Sequence, residues 1–286
     1  MKKHFILSLI LSLFFLSEVT LAQPTTPQRI ISVGAGVTEL LEALDVGDQL
    51  IAVDSTSRRF ADKYQIPLLG YQRNLASEGI LALQPNLLIG SEEMGPESVL
   101  TQLRQAKIRI EVLENPQKNH QDLQQHIQLL GQLLAKNKSA EKLSTQVMQQ
   151  IRRIQSLPRG KNRALFLLLS NKGQLSTGGH STTIHGMLDL MQLHNLSAEK
   201  QGYYAYSIEA VLALQPDILL LSERNLSQDL NTLQKQYPFL QQLNATKQGC
   251  IFSVDGQALL GGFNLSSLRE SERIMQAIAD NQNCLQ

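Results

Sequence analysis

Short apolar runs alternate with apolar positions at helical spacing along most of the chain. Ile30–Val33 reads as a strand that runs into Gly34-Ala35-Gly36, and Glu39–Leu44 behind it reads as a helix. Leu50–Val53 and Ile108–Leu113 are further strands, with a helix over Ser98–Ala106 between them. The second half repeats the order with a strand at Ala164–Leu169, a helix at Thr183–Leu193 and a strand at Ile251–Val254. Strand–helix alternation of this kind predicts an α/β fold with mostly parallel sheets, because parallel neighbours need a helical crossover.

The alternation contains one internal repeat. Leu75–Glu92 (LASEGILALQPNLLIGSE) aligns with Tyr206–Glu223 (YSIEAVLALQPDILLLSE), and half of the aligned positions are identical. With one gap, Gly70-Tyr71 also meets Gly202-Tyr203. Each copy reads as a short helix (Ile80–Leu83, Val211–Leu214), a proline stop and a buried strand (Leu87–Ile89, Ile218–Leu221). The copies lie too far apart for a solenoid period and are spaced by a whole lobe. The pattern therefore predicts two similar α/β lobes, over 23–116 and 158–286, facing each other across a cleft.

Gln117–Leu157 separates the lobes and contains no proline. Leu123, Ile127, Leu130 and Leu134 fall at helical spacing, as do Ala140, Leu143, Val147, Ile151 and Ile154. Gly131 and the polar Lys136-Asn137-Lys138 suggest a break between two helices. A long helical connector of this kind is stiffer than a Gly/Ser linker and predicts limited hinge motion.

Met1–Ala22 stands apart from this pattern. Lys2 and Lys3 precede the apolar Phe5–Leu16, and Thr20-Leu21-Ala22 ends in a small residue. That arrangement predicts a secretory signal peptide cleaved after Ala22, with a membrane anchor as the alternative. No Cys stands at the cleavage site to carry a lipid, so the expected location is the periplasm. The chain of 286 residues carries 42% hydrophobic and 18% charged residues, which excludes disorder. Its formal net charge of +1 offers no electrostatic footprint for nucleic acid. Cys250 and Cys284 are its two cysteines. In an oxidising compartment such a pair is expected to be bridged.

The chain lacks the G-x-S-x-G and H-E-x-x-H patterns of hydrolases and metalloproteases. Gly34-Ala35-Gly36 begins like a dinucleotide loop, but Glu39 stands in place of the third glycine. The informative stretch is Leu68–Arg73, LLGYQR, which places Tyr71 and Arg73 in a turn at the lobe edge. A phenolate is a hard anionic donor suited to ferric iron, and tyrosine is an axial haem ligand. A free phenol has a pKa near 10, so a cation two residues away helps it ionise. The alternative is a packed loop tyrosine beside a solvated arginine.

From Arg29 to Pro116 the chain resembles the haem-binding periplasmic proteins of bacterial ABC haem importers. The resemblance is carried by RIISVGAGVTELLEALDVGDQLIAVDSTS, LLGYQRNLASEGILALQPNLLIGSE and GPESVLTQLRQAKIRIEVL, and within them by GY-x-R-x-L-x-x-EG followed by L-x-P. The helix–proline–strand pattern is shared with vitamin B12 and siderophore binders of the same fold. The resemblance implies two Rossmann-like lobes joined by a long helix, with ferric haem b held in the cleft between them, Tyr71 as its axial ligand and Arg73 in support. Tyr203, the repeat counterpart of Tyr71, and His180, after Gly178-Gly179, are the rival ligands. Arg224, after the second Ser-Glu of the repeat, is the candidate for a haem propionate, since a guanidinium pairs with a carboxylate by two hydrogen bonds.

The second half matches the group less closely. Some members carry a His where this chain has Asn171, which puts stacking of two haems in doubt. Phe263 is followed by Asn264 rather than by the group's Gly-Pro-Arg ending. The resemblance further implies a monomeric binding protein with no enzymatic activity. It would receive haem from an outer-membrane haem receptor and dock on a permease and its ATPase through Glu78 and Glu209, one on each lobe. Both glutamates also suit a helix N-terminus, which is the purely structural explanation. The other functions left open are a corrinoid or ferric-siderophore binder and, from a different class, an exported α/β enzyme.

Overall fold

The computed structural model describes residues 28–170, 174–223 and 230–286. The expected leader, Asn171 and Arg224 lie outside the described residues.

Lobe one contains, in order, β1 (Ile30–Val33), α1 (Ala35–Ala43), β2 (Leu50–Val53), α2 (Arg58–Tyr64), α3 (Ser77–Ala82), β3 (Leu87–Ser91), α4 (Glu97–Gln105) and β4 (Arg109–Leu113). Its sheet is parallel throughout, in the order β2-β1-β3-β4. A parallel sheet is covered on both faces, which is why β1 and β3 are buried at every position. Ile30, Leu87 and Ile89 join Leu40 and Leu41 of α1 in one core. Ile31, Val33 and Leu88 pack against Ile80, Leu100 and Leu103 in the other.

The connector holds α5 (His120–Leu133) and α6 (Asn137–Ser156). The break falls at Leu134–Lys136, where Ala135 takes a left-handed φ of 53° and the Lys136 amide donates to the Gly131 carbonyl (2.7 Å). Gly131 itself is not the break. It lies inside α5 at the crossing with α6, where a Cβ would come within 2.4 Å of Ala140 Cβ. The helices run back along each other, so α6 alone spans from lobe to lobe. Its first turn holds lobe one through Lys136 Nζ to the Asp45 carbonyl (2.7 Å) and Ser139 Oγ to the Asp45 carboxylate (3.0 Å). Its twenty residues cover about 30 Å at 1.5 Å per residue.

Lobe two contains β5 (Arg163–Leu169), β6 (Leu175–Gly178), α7 (Thr183–Leu190), β7 (His194–Asn195), β8 (Tyr203–Tyr206), α8 (Ile208–Leu214), β9 (Ile218–Glu223), α9 (Leu230–Gln236), α10 (Asn244–Lys247), β10 (Ile251–Ser253), α11 (Leu265–Asp280) and α12 (Gln282–Leu285). Its sheet runs β10-β9-β5-β6-β8, with β7 beside the start of β5. Here parallel pairs still predominate, as expected, but the sheet is mixed. β5, β9 and β10 are parallel, but β6 returns antiparallel to β5, and β8 is antiparallel to β6. The return from Leu169 to Leu175 is too short for a crossover, and short connections impose antiparallel pairing.

Cys250 and Cys284 form a disulfide with a Cα–Cα distance of 5.6 Å, tying α12 to the start of β10. The N-terminal end of α11 reaches back to lobe one. Its N-cap Asn264 packs so closely on Gly36 of α1 that a Cβ there would stand 2.9 Å from the Asn264 Cβ. The buried Glu39 of α1 accepts from the Ser266 amide and from Arg59 Nη2, both at 2.9 Å, and pairs with Arg269. Among the described residues, no helix is long and apolar enough to cross a membrane.

Candidate ligand-binding cleft

The loop after β2 is built around a buried glutamine. Pro67–Leu69 runs beside β2, with the Leu69 amide donating to the Val53 carbonyl at 2.8 Å. The chain then turns, and the Asn74 amide donates to the Tyr71 carbonyl at 2.7 Å. Gln72 points into the protein and is 1% exposed. It fits because Gly34 presents no side chain. Gly34 has a φ of 103°, and a Cβ on it would stand 3.1 Å from Gln72 Oε1. Burying Gln72 turns its neighbours outward, and Tyr71 keeps 47% of its surface exposed.

Tyr71 faces a cleft between the lobes with a volume of about 820 Å³. Tyr203 of β8 lines the same cleft from lobe two, 45% exposed. The two Gly-Tyr pairs of the repeat thus meet on one cavity. Leu168, Ser176 and Ser222, from β5, β6 and β9, and the loop Asp255–Gly261 complete the wall. The buried Ser222 hydroxyl has no hydrogen-bond partner among the described residues. Leu168, Leu259 and Leu260 supply apolar surface.

Arg73 also lines the cleft, but it is already paired. Its Nη2 donates to Glu93 Oε1 at 2.7 Å, while Gln72 Nε2 donates to Glu93 Oε2 at 2.7 Å. Sequence reasoning missed Glu93. Its signal was its position two residues after β3, since ligands of α/β sheets gather at strand carboxyl ends. Glu93 also faces Tyr203. Enclosure in the cleft pushes the Tyr203 phenol well above its usual range, and the Glu93 carboxylate adds to that shift. Among the described lining residues the charges are Arg73 against Glu93 and Asp255.

The remaining expected site residues lie elsewhere. His180 does not line the cleft. It is exposed, with Nδ1 3.1 Å from His185 Nε2, and His185 Nδ1 is 3.1 Å from the Asn195 amide. Among the described residues, no cluster of His, Cys, Asp and Glu could hold a bare metal ion. Glu78 and Glu209 are exposed in the first turns of α3 and α8. The Glu209 carboxyl is held below its ordinary range by its own backbone N–H and the Ser207 hydroxyl.

Two α/β lobes bridged by one long helix, with a cleft between them lined from both sides, form the architecture of a substrate-binding protein. The chain belongs to the periplasmic binding protein family, whose model matches residues 30–258. It is the substrate-binding component of an ABC importer, a class that works with a permease and an ATPase. The periplasmic haem-binding protein HutB of Vibrio cholerae is similar in structure, with a TM-score of 0.81 and 36% identity over 88% of this chain and 99% of that one. A periplasmic haem-binding protein from Pseudomonas aeruginosa gives 0.77 and 33%, covering 89% of this chain and 94% of that one. A vitamin B12-binding protein of Pectobacterium atrosepticum is 31% identical over 202 residues, 68% of this chain and 71% of the relative.

Proposed function

We propose that this protein captures ferric haem in the interlobe cleft and delivers it to its permease. The observation that carries the reading is the pair Tyr71 and Tyr203, half exposed on one cleft from opposite lobes. A volume of about 820 Å³ suits a flat macrocycle, within the range of roughly 300–1,000 Å³ typical of ligand pockets. Leu168, Leu259 and Leu260 offer apolar surface to its faces, and Tyr71 offers an oxygen donor to its iron. Similarity to two haem-binding proteins at 33% and 36% identity supports the same reading.

In this reading Tyr71 is the axial ligand and Arg73 its support. Arg224, which follows the cleft residue Ser222 by two positions, takes a propionate. His180 takes no part. The leader is removed after Ala22, the protein works as a periplasmic monomer supplied by an outer-membrane receptor, and Glu78 and Glu209 meet the permease.

The B12-binding relative favours a second reading, a corrinoid ligand. Cobalt prefers nitrogen donors, and the described cleft residues include no histidine. Calorimetry with haemin and with cyanocobalamin separates the two. Haem capture predicts saturable binding of haemin with no heat from cyanocobalamin. Saturable cyanocobalamin binding with haemin excluded would replace haem with a corrinoid.

A further inference from the structure

The repeat puts a tyrosine on each side of the cleft, and the two have different neighbours. Tyr71 has Arg73 two residues along the same loop. The residue at the same offset from Tyr203 is Ala205. Glu93 acts on both sides. One of its carboxylate oxygens holds Arg73 and the other holds Gln72, each at 2.7 Å. The residues on either side of Gln72 are Tyr71 and Arg73, so this contact fixes the loop that presents them. The same carboxylate lines the cleft and faces Tyr203.

We propose that Glu93 makes the two cleft tyrosines inequivalent: it fastens the Tyr71 loop with its cation in place and sets a negative charge against Tyr203, so that iron is ligated from lobe one alone. The inference rests on the reading of haem as ligand. Tyrosine binds ferric iron as an anion, and an anion is favoured beside a guanidinium and disfavoured beside a carboxylate. Enclosure in the cleft pushes the Tyr203 phenol upward, and the Glu93 carboxylate adds to it. Tyr203 then presents a neutral hydroxyl to the opposite face of the macrocycle. Glu93 is in this sense a positioning residue, acting through the loop and through charge without touching the iron.

The test is a transfer of ligation. Full-length wild type, Tyr71→Phe, Glu93→Gln and Tyr71→Phe/Glu93→Gln are titrated with haemin. Tyrosinate coordination is read from the visible charge-transfer band and the phenolate bands in resonance Raman, and circular dichroism checks each variant's fold. The expected result is tyrosinate coordination in wild type, none in Tyr71→Phe, and its return in the double variant as Tyr203 takes over. Adding Tyr203→Phe to the double variant then removes it again. Tyrosinate coordination in Tyr71→Phe alone would overturn the proposal, and so would its absence in a folded double variant. If the double variant does not fold, Tyr71→Phe/Glu93→Ala is titrated to the same criterion. Absence of a tyrosinate signature in wild type would instead remove haem ligation by tyrosine, and this inference with it.

Discussion

Tyr71 was legible in the sequence because it stands in a motif whose glycine, tyrosine and arginine have fixed spacing. Its anchor was not. Gln72 looks like any polar loop residue, and only the bare Gly34 opposite it, at a φ of 103°, allows it to be buried. Glu93 was hidden for a similar reason, since its partners are twenty and twenty-one residues away along the chain. His126 gave no such signal in the sequence. It is buried in α5, and its Nε2 donates to the Glu114 carbonyl at 2.8 Å, just where β4 leads into the connector. Burial pushes its pKa below 6.5, while the Glu114 carbonyl, Asp122 and Glu92 pull the other way. The unfolded chain therefore takes up a proton that the folded chain resists. Stability is complete above the unfolded value of about 6.5 and falls as pH drops through it, by at most about 1.4 kcal/mol per pH unit for one linked proton. Thermal melts between pH 7.5 and 5 should show this fall in wild type and a shallower one in His126→Gln, whose amide does not titrate.

At the scale of elements, the repeat and the apolar periodicity located most of the strands and helices. β2 matches the expected Leu50–Val53, and the helical positions from Leu123 to Ile154 are all buried as a single seam. β6 and β8 were missed because Leu175–Gly178 and Tyr203–Tyr206 lack the apolar runs that mark a buried strand. Pairing with β5 through a short return defines them instead. Gly131 was read, with Lys136-Asn137-Lys138, as marking a helix break, but it lies inside α5 against Ala140 of α6. Helix propensity alone would favour alanine there by about 1 kcal/mol. The 2.4 Å approach to Ala140 Cβ outweighs that gain. Gly131→Ala is expected to cost about 1–3 kcal/mol by overpacking, measured as a lower denaturation midpoint with an unchanged m-value.

Among the described residues, the ties between the lobes include α6 and the contact of α11 with α1. In the second, a buried carboxylate on lobe one meets an amide and a guanidinium of α11. Breaking it would take from Glu39 the Ser266 amide and the Arg269 guanidinium, leaving Arg59 of lobe one as its partner. The lobes are therefore expected to close little on ligand. Under the proposed docking role, a rigid frame presents Glu78 and Glu209 at a fixed separation to a two-fold permease. Exposed charge pairs at an interface rim guide docking more than they set affinity. In a reconstituted transporter, Glu78→Ala/Glu209→Ala should leave haemin binding unchanged while lowering haem uptake and stimulated ATP hydrolysis. Unchanged uptake across a range of salt would leave both residues with helix N-termini alone. A haemin titration followed in the visible spectrum decides whether the tyrosine of lobe one holds the iron between the lobes. A tyrosinate-type spectrum is expected in wild type and in Tyr203→Ala, and its loss in Tyr71→Ala. A spectrum kept in Tyr71→Ala and lost in Tyr203→Ala would contradict it.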